Sequence, residues 1–332
     1  MRVAVDAFNL AADRRGMGRF ARAVLEDFGA FEDLTLALIA RDERDALGLR
    51  EEFALETLPL RQAQKQWFDA AWYPWNGMRF EVAPFAVVTM HDAFAFTYPA
   101  RDFVGRWKEQ RPIRRASKLA RELTAVSRWS ASELARELGV DPSRFSITPP
   151  SPDPFFSPVD AQVTEPYVFA VGAPDKRKNV AFLIDAWHTA FPNKEVDLHV
   201  AGSLNDADER RAAECGVQRS RPNDVALRDL YGRALVVAVP SIAEGYGLMS
   251  VEAMACGAAV IAADAAALPE ACDGAAMLLP TDDPQVWSQA LRSLAADQQA
   301  LAELRAKSLA RAARIDRTQS ARTIAALLRR SL

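Results

Sequence analysis

The chain of 332 residues has few cysteines and little net charge, and each shortage excludes some classes of function. Its three cysteines, Cys215, Cys256 and Cys272, show no C-x-x-C spacing, so disulfides and a zinc site are both disfavoured and a reducing compartment is favoured. The formal net charge of -3 argues against a nucleic-acid partner. No apolar run reaches membrane-spanning length.

What is present is ordinary globular composition. Hydrophobic residues make up 50% of the chain and charged residues 26%, and the length predicts two domains. The N-terminus opens directly on a strand-like segment, MRVAVDAF, without the apolar region of a signal peptide. We therefore expect a cytoplasmic protein, and a peripheral contact with the inner membrane face stays open.

The stretch from Val239 to Asp264, VPSIAEGYGLMSVEAMACGAAVIAAD, predicts a strand end, a loop, a helix and a second buried strand. The helix is expected from Gly247, where apolar residues begin to recur at helical spacing, to Gly257. Unpaired backbone amides at the start of such a helix favour an anionic ligand. The stretch therefore has the outline of a phosphate or diphosphate site.

Two carboxylates, Glu244 and Glu252, bracket this outline. Because a carboxylate beside a diphosphate would repel it, hydroxyl groups are the expected partners of both side chains. A ligand with phosphates in the middle and hydroxyl-rich groups on both sides is a sugar nucleotide. The alternative is a pair of surface residues, with Glu244 in a loop and Glu252 on the solvent face of a helix.

The E-x7-E spacing, with GYG after the first glutamate and EAMACG around the second, resembles the signature of the retaining glycosyltransferase family 4. The resemblance implies an α/β protein with the GT-B fold, in which two doubly wound Rossmann-like domains face each other across a cleft. It places an acceptor-side domain at 1–150, a linker at 151–166 and a donor-side domain at 167–310. The terminal helix, 311–332, is expected either to cross back to the first domain or to be only solvated.

Near the N-terminus, the strand Arg2–Ala7 is expected to lead through a loop to a helix that begins at Phe20. The string GMGRF resembles the family's G-[IM]-G-R-[YF], which implies that Gly16, Gly18 and Arg19 lie in a loop against the cleft. A simple turn with solvated arginines is the alternative.

The strand Phe85–Met90 is expected to deliver His91 and Asp92 at its carboxyl end, where open α/β sheets bind ligands. The segment VTMHDAFAFTYP resembles the family's V-x-x-HD segment, which implies that His91 reaches the transferred sugar or the acceptor.

Three further segments are expected to have structural and not functional roles. Residues 41–66 predict a charged helix, and the aromatic cluster at 67–75 favours core packing over a sugar-binding rim. From Arg101 to Arg121 there are eight basic residues against two acidic ones, with Trp107 among them. A solvated helix face is favoured there over a surface for anionic lipid or a phosphorylated acceptor.

In the second half, GAPDKRKN resembles the family's G-x-x-x-x-RKN loop, in which Arg177 and Lys178 would neutralise the donor diphosphate. Two departures stand out. Ala173 occupies a position where the family often has arginine, so Arg19 becomes a candidate for that contact, and Pro150-Ser151 replaces the usual Asn-Gly of the linker. The segment 216–222 is expected to hold the nucleobase by backbone contacts.

The resemblance implies a retaining glycosyltransferase that moves a sugar from a UDP- or GDP-type donor to a saccharide or lipid-linked saccharide acceptor. Glu244, His91 and Lys178 are the expected catalytic residues. Glu244 would hold the hydroxyls of the donor sugar and Glu252 those of the ribose. The diphosphate would be held by Arg177, Lys178 and the backbone of Gly245, Tyr246, Gly247 and Leu248.

No D-x-D string stands after an apolar strand in the way that a metal site would require, and the cationic loop can supply the charge that a metal would bring. We therefore expect no cofactor and no divalent metal, and a front-face reaction in which the leaving phosphate accepts the proton of the acceptor. A sugar-nucleotide epimerase of the same fold and a non-catalytic nucleotide-sugar-binding partner are the alternatives. The second would be expected to lose Lys178 or Glu252, and the chain keeps both.

Overall fold

The computed structural model describes residues 1–14, 16–100, 102–159 and 166–332. The chain forms two compact units, the first made of residues 1–151 and 316–332 and the second of residues 152–315. Of the linker expected at 151–166, residues 160–165 lie outside the described part. Within that part, no helix is both long and apolar enough to cross a membrane.

The described strands are β1 (Arg2–Asp6), β2 (Thr35–Ala40), β3 (Glu56–Pro59), β4 (Ala70–Tyr73), β5 (Ala86–Met90), β6 (Glu122–Ala125), β7 (Phe145–Ile147), β8 (Tyr167–Val171), β9 (Asp197–Ala201), β10 (Gln218–Ser220), β11 (Val236–Val239), β12 (Val260–Ala263) and β13 (Met277–Leu279).

The described helices are α1 (Gly16–Phe28), α2 (Glu43–Phe53), α3 (Leu60–Ala63), α4 (Phe94–Thr97), α5 (Phe103–Leu119), α6 (Arg128–Leu138), α7 (Val180–Ala190), α8 (Asp206–Cys215), α9 (Asp224–Arg233), α10 (Leu248–Ala255), α11 (Leu268–Cys272), α12 (Pro284–Ala296), α13 (Gln298–Ala313) and α14 (Gln319–Leu328).

The first unit is built on a parallel sheet in the order β3-β2-β1-β4-β5-β6-β7. The order reverses between β1 and β4, and in open α/β sheets the carboxyl ends of the strands at such a point are where ligands bind. Asp6 ends β1, and His91 follows β5.

The second unit repeats the plan with the parallel order β10-β9-β8-β11-β12-β13. Here the order reverses between β8 and β11. The cationic turn Lys176–Lys178 comes after β8, and the loop that carries Glu244 comes after β11, so both lie at this switch point.

Burial in the hydrophobic cores explains why the central segments of the two sheets form strands. All four residues of β11 and all four of β12 are buried, as expected for central strands of a parallel sheet that is covered on both faces. Helix α14 packs in the first unit, where its apolar face contacts α1, β4 and β5.

The predicted α/β class is confirmed, and the strand, loop, helix and strand of the stretch from Val239 to Asp264 form as predicted. Three strands were not predicted. The prediction of one helix over residues 41–66 is wrong, because this segment also contains the strand β3. The aromatic cluster contains β4, and the segment 216–222 contains β10. Each is three or four residues long, too short to show an alternating pattern.

Candidate active site

The loop that carries Glu244 is tied to the cationic turn of the neighbouring strand. The backbone N–H of Ile242 donates a hydrogen bond to the carbonyl oxygen of Arg177 at 2.9 Å. Because β8 and β11 are adjacent and parallel, their two following loops meet at the same edge of the sheet. This bond therefore fixes the backbone of one loop against the backbone of the other.

The side chains of the two loops also meet. Lys178 Nζ lies 2.6 Å from Glu244 Oε1, and the side chains are 25% and 17% exposed. The contact combines a hydrogen bond with an attraction between opposite charges that water screens only in part. An anionic group that approaches Lys178 would share the ammonium group with this carboxylate.

Arg177 has a different carboxylate partner, Asp175, which is not among the site residues predicted from the sequence. Arg177 Nε and the backbone N–H of Arg177 each donate to the Asp175 carboxylate at 2.9 Å. Burial alone would raise the pKa of Asp175, but the hydrogen bonds from Arg177 outweigh it and hold the pKa below its usual value of 3.8. Asp175 thus shapes the cationic turn before a ligand arrives.

Gly247 begins helix α10 in a backbone conformation that requires glycine. Its φ is +101°, and a Cβ atom there would lie 2.7 Å from Leu268 Cδ2. As the N-cap residue of α10, Gly247 has no side chain that could cap the first turn by a hydrogen bond. The amides of that turn therefore lie beside a residue that lets a ligand approach closely.

The neighbouring Tyr246 is a core residue. Its side chain is buried, and burial raises the pKa of the phenol to about 12. The phenol therefore stays neutral, and because the side chain is buried, what Tyr246 can offer an anion is its backbone amide.

Glu252 is buried on α10, with 5% of its surface exposed. The alternative of a solvent-facing helix residue is therefore wrong for this position. A carboxylate at this depth costs free energy unless polar groups satisfy it. Burial and the charge of Glu252 together raise the pKa of the nearby Cys256 thiol to about 12, so that thiol is unreactive.

In the first unit, His91 is a neutral, buried side chain. Nε2 lies 2.8 Å from the carbonyl oxygen of Pro74, so this nitrogen carries the hydrogen and donates it. The ring of Phe20 packs edge-on at 5.3 Å. Burial lowers the pKa of His91 to about 4, so Nδ1 can serve a ligand only as a hydrogen-bond acceptor at neutral pH.

Asn76 positions both His91 and Asp92. Its Oδ1 accepts the backbone N–H of His91, and its Nδ2 donates to Asp92 Oδ1 at 3.3 Å. Asn76 adopts a φ of +43°. This role is not among those predicted from the sequence, although Asn-Gly after an aromatic run is a turn signal.

Gly16, Gly18 and Arg19 do not lie in a loop, so that expectation is wrong. They form the first turn of α1, which begins at Gly16. A Cβ at Gly18 would lie 1.9 Å from the carbonyl oxygen of Asp13, so glycine is needed there for the helix to pack against the preceding backbone. Asp92, in contrast, lies in a loop after β5, as predicted.

The predicted site residues therefore gather in two sets, each within its own unit. Arg177, Lys178, Glu244, Glu252 and the start of α10 lie in the second unit, and His91 and Asp92 in the first. In the part of the chain that the structure describes, no group of three or more histidine, cysteine, aspartate or glutamate residues is placed to hold a metal ion.

Two doubly wound parallel sheets of this kind define the GT-B class of proteins. The crystal structure of Anabaena HepE in complex with UDP-glucose superposes over 99% of this chain and 100% of that one, with a TM-score of 0.77 and 16% identity. At that identity the likeness shows the fold, and the GT-B prediction is confirmed.

The family model described as Glycosyl transferases group 1 matches residues 165–297, which make up most of the second unit. The MMP alpha-(1->4)-mannosyltransferase of Mycolicibacterium hassiacum is 29% identical over 202 residues, which cover 55% of this chain and 49% of that protein. The D-inositol 3-phosphate glycosyltransferase of Xylanimonas cellulosilytica is 31% identical over 218 residues, which cover 55% and 51%.

The chain spans about half the length of these curated relatives. The predicted resemblance to a glycosyltransferase family is confirmed at this level. The narrower assignment to retaining family 4, on the E-x7-E spacing, stays a prediction.

Proposed function

We propose that this protein is a retaining glycosyltransferase that moves a sugar from a nucleoside diphosphate sugar to a saccharide or lipid-linked saccharide acceptor. The observation that carries the proposal is the contact of Lys178 with Glu244 at the switch point of the second sheet, next to the uncapped start of α10. The group 1 domain and the UDP-glucose in the HepE structure support it.

The leaving group gathers charge as the glycosidic bond breaks. The electron pair of the broken bond goes to the β-phosphate oxygen. Lys178, Arg177 and the first amides of α10 stabilise the negative charge there. Glu244 accepts hydrogen bonds from the donor sugar, and Glu252 accepts them from the ribose. Both assignments use carboxylates as hydroxyl acceptors and not as nucleophiles.

The acceptor oxygen bonds to the anomeric carbon from the side that the phosphate leaves, and its proton passes to that phosphate. Configuration is therefore retained without a covalent enzyme intermediate. His91, held neutral in the first unit, would accept a hydrogen bond from a sugar hydroxyl through Nδ1.

The cationic turn supplies the charge that a divalent ion would bring, so we propose transfer without metal from a UDP- or GDP-type donor. Cys215, Cys256 and Cys272 are free and buried, which supports a reducing, cytoplasmic setting. Peripheral contact with the inner membrane face would bring the enzyme to a lipid-linked acceptor.

Thermal unfolding with UDP, GDP, ADP and their common sugars, in the presence of EDTA, tests the donor site. One nucleotide at a hundred times its Kd is expected to stabilise the wild type by about 2.7 kcal/mol. Lys178→Ala and Glu252→Ala are expected to lose that stabilisation, while the exposed controls Lys307→Ala and Glu303→Ala keep it.

If no nucleotide stabilises the wild type, or if Lys178→Ala and Glu252→Ala respond as the wild type does, the donor site is wrong. If stabilisation appears only when magnesium replaces EDTA, metal independence is wrong. Incubation of the identified donor with and without saccharide acceptors then separates transfer, which needs an acceptor, from epimerisation, which does not.

A further inference from the structure

Helix α5 carries an exposed stripe that the proposed chemistry does not use. Its members follow one another at spacings of three or four residues, which places them on one face of the helix. We call them the α5 stripe: Phe103, Trp107, Arg111, Arg114 and Lys118, all exposed. The buried residues of the helix, Ile113 and Ala116, lie on the opposite face.

The N-terminal end of the stripe is apolar. Phe103 is 74% exposed, Trp107 is 52% exposed, and the adjacent Val104 is 56% exposed. Single exposed apolar residues are common on protein surfaces, but three large ones within two helical turns form a patch that favours an interaction surface.

The rest of the stripe is cationic. The helix has six basic residues and one acidic residue, in a chain whose formal net charge is -3. Among the described residues, only Arg115 of these six has a carboxylate partner, Glu81. Arg111 stacks on Trp107 and Arg114 on Phe96, each at 4.9 Å, and neither guanidinium group has a carboxylate partner in the part of the chain that the structure describes.

The exposed half of the helix is held in place by hydrogen bonds. Asp102 caps its start by accepting the N–H of Gly105 at 2.7 Å. Gln110 Nε2 donates to the carbonyl oxygen of Ala95 at 2.9 Å, and Met78 donates to that of Pro112 at 3.1 Å. The stripe is therefore formed in advance and does not need to fold on binding.

We propose that the α5 stripe docks on a membrane surface that contains anionic phospholipids. Phe103, Val104 and Trp107 would enter the interface between headgroups and acyl chains, while the cations of the stripe contact lipid phosphates. A hollow of about 370 Å³ lined by Trp107, Arg111 and Arg115 is large enough to take a headgroup. A soluble anion would account for the cations but not for the exposed phenylalanine and tryptophan.

This inference deepens the proposed function, since it rests on a lipid-linked acceptor for its role in catalysis, but docking itself requires no sugar transfer. It can therefore be tested without nucleotide sugar, by co-sedimentation with vesicles of phosphatidylcholine alone or mixed with phosphatidylglycerol. The wild type is expected to sediment with the mixed vesicles only, and less so as salt increases.

Two double variants separate the contributions of the stripe. Phe103→Ser with Trp107→Ser removes the apolar end, and Arg111→Glu with Lys118→Glu reverses charge at the cationic end. Each is expected to weaken binding to mixed vesicles by at least about tenfold. Brominated phosphatidylcholine in the mixed vesicles is expected to quench fluorescence of the wild type more than that of Trp107→Phe.

Matched controls lie in the same unit. Trp67→Ser removes a tryptophan that is 70% exposed, and Arg61→Glu with Lys65→Glu reverses two exposed charges. Both controls are expected to bind as the wild type does, and thermal unfolding without lipid shows whether every variant is folded.

The proposal is overturned if the wild type stays in the supernatant with mixed vesicles, even if it binds pyrophosphate, since that result would indicate a soluble anion as the ligand. It is also overturned if the stripe variants sediment like the wild type, or if the control variants lose as much binding as the stripe variants do. Failure of the nucleotide panel would contradict the donor site and leave the vesicle result standing.

Discussion

At the residue scale, the contact between Lys178 and Glu244 means that the carboxylate of Glu244 balances the charge of Lys178 before any ligand binds. Glu244 accepts from the ammonium group that we assign to the diphosphate, so the carboxylate both orients Lys178 and competes with the ligand for it. These two effects oppose each other for nucleotide binding but not for sugar transfer, in which Glu244 also holds the sugar.

We therefore expect Glu244→Gln to bind UDP more tightly and to transfer sugar more slowly. Removing the negative charge is expected to improve UDP affinity by about 1 kcal/mol, or roughly fivefold, because the repulsion is lost and Lys178 is released. Turnover is expected to fall at least about 100-fold. Isothermal titration calorimetry and initial rates measure the two quantities.

The matched control is Asp185→Asn, which breaks another ion pair of the second unit, with Arg211 at 2.6 Å. Its UDP affinity and turnover are expected to equal those of the wild type. Weaker UDP binding by Glu244→Gln would contradict competition between the carboxylate and the diphosphate.

A second residue of interest is Asp6, at the carboxyl end of β1, which is 4% exposed. Burial raises the pKa of Asp6 from 3.8 to about 7, although the N–H of Phe8 and the charges of Arg79 and Arg41 act in the opposite direction. Since the folded state binds this proton more tightly than the unfolded state, protonation of Asp6 stabilises the fold. That contribution is complete below pH 3.8 and is lost as the pH rises through about 7.

Asp6→Asn is therefore expected to gain stability relative to the wild type as the pH is raised from about 5 to about 8, by about 2 kcal/mol. The amide keeps an oxygen for the hydrogen bond from Phe8, at 3.0 Å in the wild type. Urea unfolding at both pH values measures the difference, and the partly exposed Asp45→Asn serves as control. An equal gain for Asp6→Asn at both pH values would show that Asp6 does not titrate in this range.

At the scale of elements, the sequence predicts best where apolar spacing is sustained. The strand, loop and helix from β11 to α10 have a clear change of period, a glycine with φ above zero at the start and another after the end, and they form as predicted. Strands β3, β4 and β10 have too few residues for such a signal, and pairing with neighbouring strands, which the local pattern of residues does not show, stabilises them.

The chemistry of the candidate site could be predicted from residue types, but its contacts could not. Lys178 and Glu244 were both expected to be site residues, yet they are 66 positions apart and only the pairing of β8 with β11 brings them together. Asn76 and Asp175 were missed for the same kind of reason, because their roles depend on which backbone groups lie beside them. The α1 start was misplaced because Gly16 and Gly18 favour a loop by propensity, while close packing on Asp13 decides the outcome.

At the scale of the whole molecule, the last helix completes the core of a unit formed mostly by the first part of the chain. Ile324 and Leu328 of α14 are fully buried in a cluster with residues of α1 and β4, such as Phe20 and Trp72. Arg329 pairs with Asp33 at 2.7 Å and extends this contact onto the surface. The first unit therefore depends on residues that follow the entire second unit in the chain.

We expect Leu328→Ala to destabilise the first unit by about 3 kcal/mol, because it removes a fully buried side chain from a packed core. Amide hydrogen exchange is expected to speed up in β1, β4 and β5, whereas exchange in β8 and β11 and stabilisation by UDP stay as in the wild type. Leu47→Ala, at a leucine of the same unit that is 58% exposed, controls for the substitution itself and is expected to change exchange in neither sheet. Faster exchange in both sheets of Leu328→Ala would show instead that the two units open together, and α14 would then stabilise the whole molecule and not the first unit alone.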